Sequence, residues 1–341
     1  MSLVAAAASA VERLPLPDPV TRAGIALLVG RTARRLRHTP PEAERDFVTF
    51  MRSLPIADHP AAANTQHYEL PPEFFALILG PKRKYSCCYY GGDADLARAE
   101  ELALAETAAH ADLADGQRVL ELGCGWGSLS LWMAETYPRS SITAVSNSAS
   151  QRLHIEAEAL RRGLRNLTVI TADMNDFDIG ERFDRIVSVE MWEHMSNWPA
   201  LLHRARGWLE PEGRLFLHVF SHRSMPYHFD HADKADWIAQ HFFTGGIMPS
   251  HGMIRHLDAD FTLEQEWRWS GLHYQRTAED WLANYDRNAA EIDAILARVY
   301  GDDAALWKRR WRLFFLATSG LFGALGGEEW GVSHYRLKPK P

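Results

Sequence analysis

Five short apolar runs, the first two each followed by a helix-like stretch, restrict this chain more than any other feature. They are VLEL (Val119 to Leu122), SITAVS (Ser141 to Ser146), LTVITAD (Leu167 to Asp173), RIVSVE (Arg185 to Glu190) and RLFLHVF (Arg214 to Phe220). Strand alternating with helix implies a mostly parallel sheet, with right-handed crossovers placing helices on both faces. FTLEQEWRW (Phe261 to Trp269) and VSHYRLK (Val332 to Lys338) supply a sixth and a seventh strand. The expectation is a doubly wound, Rossmann-like α/β fold that binds its ligand at the carboxyl edge of the strands.

The rest of the chain is read around that core. Residues 1–65 form a helical N-terminal extension, broken at Pro15, Pro17, Pro19, Pro40 and Pro41. Residues 66–112 hold an aromatic, Gly/Pro-punctuated segment of the kind that covers a site, then a helix from about Asp95 to Ala111. The core occupies 113–341, with insertions at about 221–260 and 275–325. Apolar residues make up 46% and charged residues 24%, enough for a large core. A formal net charge of −7 argues against a nucleic-acid partner. The run Lys82, Arg83, Lys84 reads as a solvated turn. Cys87, Cys88 and Cys124 make a poor disulfide framework, so the chain reads as reduced and cytoplasmic. No secretory signal and no bilayer-spanning run is evident. A homodimer is compatible with all of this.

The first strand ends in ELGCGWGSLS. Gly123, Gly125 and Gly127 let the backbone turn tightly and approach a ligand, and a helix starting near Ser128 presents free N–H groups. The dinucleotide fingerprint wants a small residue three positions after the second glycine, and Ser128 matches it only in part. Glu121 precedes the first glycine, where a carboxylate repels a pyrophosphate but attracts a sulfonium and an amino group. Both details favour S-adenosylmethionine. Ser146 and Asn147 end the second strand, with Gln151 shortly after, to meet a ribose. Asp173, followed by Met174, ends the third and suits an adenine amino group.

The fourth strand runs into Glu190, Met191, Trp192, Glu193, His194 and Met195 at the reactive edge. Two carboxylates and an imidazole there suit deprotonation of an ammonium, with Glu193 and His194 as the catalytic pair and Glu190 facing the cofactor. The chain's 16 histidines show no H-E-x-x-H and no regular ligand spacing, so no metal is expected.

Those residues carry a resemblance. QHYELPPEFF, KYSCCYY, ELGCGWGSLSLW, NSASQ, EMWEHM, HVFSHRSMPYHF, FFTGGIMPS, HYQRTAEDW and GGEEW span roughly Asn64 to Lys338. The chain resembles the coclaurine N-methyltransferase family, within the cyclopropane fatty acid synthase superfamily of class I, S-adenosylmethionine-dependent methyltransferases. HYELP, FFTGG and GEEW favour the amine branch over the lipid branch. The resemblance implies cofactor contacts at Tyr85, Ser86, Gly123, Gly125 and Gln151, and a Glu193–His194 pair assisting catalysis. The lipid enzymes hold a bicarbonate base, and the matching positions here are Cys87, Glu193, His218 and Tyr274.

Tyr89, Trp192, Phe220, Tyr227, Phe229, Phe242, Phe243, Trp330 and Tyr335 supply aromatic faces for a substrate wall. Such faces attract ammonium and sulfonium cations by about 0.5–2 kcal/mol each. A small aromatic or heterocyclic amine is the expected partner. An unsaturated acyl chain is the main rival, and a non-catalytic cofactor-binding protein a further one.

Overall fold

The computed structural model describes residues 12, 16–38, 40, 42–58, 70–230, 232, 236–257 and 260–341. The His67–Glu69 part of the covering segment lies outside them. The N-terminal extension contributes α1 (Asp18–Leu36) and α2 (Ala43–Met51), and the covering segment contributes α3 (Pro72–Ile78) and α4 (Leu96–His110). The core then alternates β1 (Arg118–Leu122), α5 (Ser128–Thr136), β2 (Ser141–Ser146), α6 (Ala149–Arg162), β3 (Leu167–Thr171), β4 (Phe183–Val189), α7 (Trp198–Gly207) and β5 (Leu209–His222). The first insertion holds β6 (Tyr227–His228), α8 (Trp237–His241) and β7 (Ile247–Met248). β8 (Phe261–Ser270), α9 (Gly271–Arg287), α10 (Ala289–Tyr300), α11 (Ala304–Phe322) and β9 (Trp330–Pro339) complete the chain.

Local chemistry sets several of these boundaries. Asp95 caps α4 by accepting from the Arg98 N–H at 2.8 Å. Ser148 caps α6, which ends at Gly163 in the left-handed conformation, φ +71°. The α9 helix starts behind Ser270, whose side chain accepts from the Leu272 N–H, and its first residue is Gly271, where a Cβ would lie 2.2 Å from the carbonyl oxygens of Phe322 and Trp330.

The seven-stranded sheet has the order β3-β2-β1-β4-β5-β9-β8. The first five strands are parallel, while β9 runs antiparallel between β5 and β8. The chain's last strand is therefore internal. Its register sets His334 opposite His218 of β5 and opposite Trp267 of β8. The insertion helices α9 and α11 pack with α3 around Phe74, Phe75, Trp281, Tyr285, Trp311 and Phe315. Ion pairs tie α1 to this layer, Arg22 to Glu279 at 2.5 Å and Arg312 to Asp18 at 2.5 Å. No helix among the described residues is long and apolar enough to cross a membrane.

Candidate active site

The turn after β1 is built from positive φ: +80° at Gly123, +51° at Gly125 and +82° at Gly127. The Gly123 and Cys124 N–H groups both donate to the Val145 carbonyl at 3.0 Å, which ties the turn to the end of β2. A Cβ on Gly123 would sit 2.5 Å from the Met191 side chain. The turn opens onto a cavity lined by Gly123, Gly125, Asn147, Gln151, Asp173, Met174, Glu190 and His194 among the expected residues. Met191 and Met195 of the run after β4 also line it, as do Ala57 and Thr244, which were not foreseen. Ala57 is brought there by Asn175, whose side chain bonds both its N–H and its carbonyl at 3.0 Å.

The donor set fits S-adenosylmethionine. Gln151 accepts from the Ser146 hydroxyl at 2.6 Å, but its buried Nε2 has no partner although the residue lines the cavity. An orphaned amide donor in such a place suits a polar ligand edge. Glu121 departs from expectation. It is buried beneath the turn, accepts from the Ser130 hydroxyl, and stands outside the cavity lining. Burial pushes its carboxyl up to about 7, against the smaller opposing effect of the Ser130 hydrogen bond.

Glu190 sits at the centre of a second constellation. Its backbone has φ +48°, a left-handed conformation that non-glycine residues adopt at a cost. Its Oε1 accepts from the Cys87 N–H at 2.9 Å and lies 3.2 Å from His218 Nε2, and its Oε2 accepts from the Tyr274 hydroxyl at 2.6 Å. Burial raises its carboxyl pKa, opposed by the Lys84 ammonium and by the Tyr274 and Cys87 hydrogen bonds. The Lys84 ammonium is itself buried, donating to the Ser86 hydroxyl and the Cys87 carbonyl at 2.6 Å each. The basic run is thus no simple solvated turn, because Lys84 closes the floor of this site. The Cys87 thiol is held neutral, pushed well up by burial and then by the Glu190 charge.

Glu193 and His194 lie on a single 3-10 turn, Trp192–His194. Glu193 is fully buried, and its Oε1 accepts the Phe220 N–H at 2.7 Å. Its Oε2 has no hydrogen-bond partner. Burial, then the Glu190 charge, pushes its carboxyl well above the ordinary range. The His194 ring stacks on Phe243 at 4.6 Å and faces the cavity.

The aromatic wall is mostly core. Trp192 packs edge-on against Trp198, and Phe242 stacks on Phe314 at 4.5 Å. Trp330 is fully buried and donates to the Tyr227 hydroxyl at 3.1 Å. Tyr89 stacks on His273, and Tyr85 packs between Phe75 and Trp281. Phe220 meets Phe243 at 5.4 Å, and Tyr335 is spent on the His251 carbonyl. None of these lines the cavity beside the glycine turn. Phe243, Phe220 and Phe229 form the aromatic group nearest it, through the Phe243–His194 stack.

Residues 57–324 match the mycolic acid cyclopropane synthetase family. The chain is 35% identical to (S)-coclaurine N-methyltransferase of Thalictrum flavum subsp. glaucum, over 85% of this chain and 82% of that one. It is 29% identical to the cyclopropane-fatty-acyl-phospholipid synthase of Escherichia coli (strain K12), over 78% of this chain and 66% of the other. A crystal structure of coclaurine N-methyltransferase bound to N-methylheliamine and S-adenosylhomocysteine superposes with a TM-score of 0.92. The two share 33% identity and cover 99% of this chain and 100% of that one.

Proposed function

Because the chain belongs to the mycolic acid cyclopropane synthetase family of S-adenosylmethionine-dependent methyltransferases, among its coclaurine N-methyltransferase-like members, we propose that it N-methylates a small heterocyclic amine with side-chain rather than bicarbonate base chemistry. One observation carries the reading. The Cys87 N–H, His218 and Tyr274, positions matching a bicarbonate site in the lipid enzymes, converge here on the carboxylate of Glu190. The chain's own carboxyl group fills the place of an anion.

The cofactor supplies a methyl group on a sulfonium, held by Gly123, Gly125, Asn147, Gln151, Asp173 and Met174. An amine attacks only when its lone pair is free, so the bound ammonium must lose a proton. His194, facing the cavity, takes it. Glu193 positions that histidine by anchoring the 3-10 turn to the Phe220 N–H. Glu190 supplies negative potential opposite the cations. The three free, buried cysteines accord with a cytoplasmic setting.

The test is a methyl-transfer assay over secondary and tertiary cyclic amines beside unsaturated phospholipid vesicles, following S-adenosylhomocysteine and methylated product. Amine products with intact lipids support the reading. Cyclopropanated lipid with untouched amines overturns it.

A further inference from the structure

Behind Glu190, hydrogen-bonding groups continue away from the cavity. His218 Nε2 stands 3.2 Å from Glu190 Oε1, and its Nδ1 is 2.8 Å from His334 Nε2. The other nitrogen of His334, Nδ1, is 2.8 Å from His110 Nδ1. His110 Nε2 then lies 3.4 Å from the Glu106 carboxylate. His218 and His334 are fully buried, the His110 side chain is 13% exposed, and Glu106 is 44% exposed. The row therefore runs from the floor of the active site to solvent.

The fold builds this row deliberately. Residues directly opposite on antiparallel strands put their side chains on the same face, and His218 and His334 are such a pair. His110 ends α4 and lies flat on Trp267 at 3.9 Å, and Trp267 is the β8 partner of His334. Each ring uses both nitrogens, and each nitrogen-to-nitrogen contact has room for one proton. Three contiguous imidazoles in a core are costly unless paired, and nothing in the methyl-transfer site itself requires the outer two.

Methylation of an ammonium releases one proton per turnover: R2NH2+ and the sulfonium give R2NHCH3+, the thioether and H+. Resting on the amine reading above, we infer that His218, His334 and His110 form a relay that carries this proton from Glu190 to Glu106 and water. His194, which lines the same cavity as Glu190, gives up the proton it took from the amine, and the Glu190 carboxylate receives it across the cavity. Glu190 then gives it to His218 Nε2 while His218 Nδ1 releases its own to His334 Nε2. His334 Nδ1 passes one to His110 Nδ1, and His110 Nε2 delivers one to Glu106. Glu190 returns to carboxylate, the three rings remain neutral with their protons on the opposite nitrogens, and ring rotation resets them. Neutral transfer is favoured over a travelling imidazolium. Burial holds all three rings below their ordinary pKa, aided by Lys84 at His218 and by Arg336 at His110, whose ring is pushed down to about 4.

The experiment is a stopped-flow single turnover with S-adenosylmethionine and 1,2,3,4-tetrahydroisoquinoline, in weak buffer with a pH indicator, alongside quenched-flow formation of S-adenosylhomocysteine. In the wild type the proton appears in step with S-adenosylhomocysteine. His110→Phe keeps the flat stack on Trp267 but breaks the relay, and His334→Gln keeps hydrogen bonding without ready proton exchange. In both, proton release is expected to lag by about tenfold or more, with S-adenosylhomocysteine affinity unchanged. Added imidazole is expected to recover the rate in His110→Ala, where a ring-sized space opens at the surface. Proton release that keeps pace with S-adenosylhomocysteine in both His110→Phe and His334→Gln overturns the relay while leaving the amine reading standing. A wild type that consumes no amine removes the reading and the relay with it.

Discussion

Replacing Glu121 with glutamine is expected to make the ligand-free protein more stable at pH 8 than the wild type and to leave it nearly unchanged at pH 4.5. Glu121 is 2% exposed, its one polar partner is the Ser130 hydroxyl, and its carboxyl is pushed from an ordinary 4.5 up to about 7. The sign follows from proton binding. Between these two values the folded state holds the proton and the unfolded state does not. The stability contributed is thus fully present below the unfolded pKa and is lost as pH rises through the folded one. A displacement of that size corresponds to about 3 kcal/mol, at 1.36 kcal/mol per unit. Glutamine has the same shape, accepts the Ser130 hydrogen bond and never ionises. With about 2.1 cal/mol/K of unfolding entropy per residue, the difference amounts to roughly 4–5 °C in Tm for a chain of 341 residues. Thermal melts of both proteins across pH 4.5 to 8 measure it. Parallel Tm profiles, or a variant that falls further below the wild type as pH rises, refute the argument.

Other outcomes are equally specific. His194→Ala is expected to lower kcat by about 10²–10⁴-fold with S-adenosylhomocysteine affinity kept, the loss shrinking as pH rises and the free amine becomes abundant; steady-state kinetics against pH and calorimetry check both parts. Gly123→Ala puts a Cβ 2.5 Å from Met191 at φ +80°, so it is expected to cost about 1–3 kcal/mol of stability and to weaken S-adenosylhomocysteine binding, read by melts and titration. S-adenosylhomocysteine at 100 times its Kd is expected to stabilise the protein by about 2.7 kcal/mol, visible as a raised Tm, and NAD at the same concentration to leave Tm unchanged.

The parallel half of the fold was legible because its strands are short and apolar, and the first two are each followed by a helical period, although β3 passes to β4 through turns alone. Even the helix expected from about Asp95 to Ala111 spans Leu96–His110. Strand order at the far edge was not legible, since β9 enters between β5 and β8 only after the 50-odd intervening residues of α9 to α11 have been laid down. The cavity's lining is partly legible: the glycine turn, Asn147 and Asp173 follow strand ends, where the fold itself puts ligand groups, Gln151 lies in the first turn of the next helix, and of the EMWEHM run Glu190, Met191, His194 and Met195 face the cavity while Trp192 and Glu193 do not. What failed was anything that depends on three-dimensional neighbours. Lys84 looked like one charge of a solvated run, yet Ser86 and the Cys87 carbonyl hold it inside. Cys87, His218 and Tyr274 are separated from Glu190 by 103, 28 and 84 positions, so their convergence on one carboxylate has no local signal. Aromatic residues are alike in sequence whether they line a pocket or fill a core, and Trp192, Phe242 and Trp330 fill the core. The His218–His334 pair is set by strand register, which period-2 patterning does not specify between distant strands.

The central claim is that the Glu190 carboxylate stands where the lipid enzymes place a bicarbonate. The most direct measurement is methyl transfer to 1,2,3,4-tetrahydroisoquinoline in degassed, bicarbonate-free buffer, before and after bicarbonate is added back, for the wild type and for Glu190→Gly. Glycine accepts the φ of +48° at this position without strain and leaves the Cys87 N–H, His218 and Tyr274 facing an open anion site. The account predicts a wild-type rate indifferent to bicarbonate, and a slow Glu190→Gly enzyme that bicarbonate accelerates. A wild-type rate that collapses on degassing and returns with bicarbonate contradicts it.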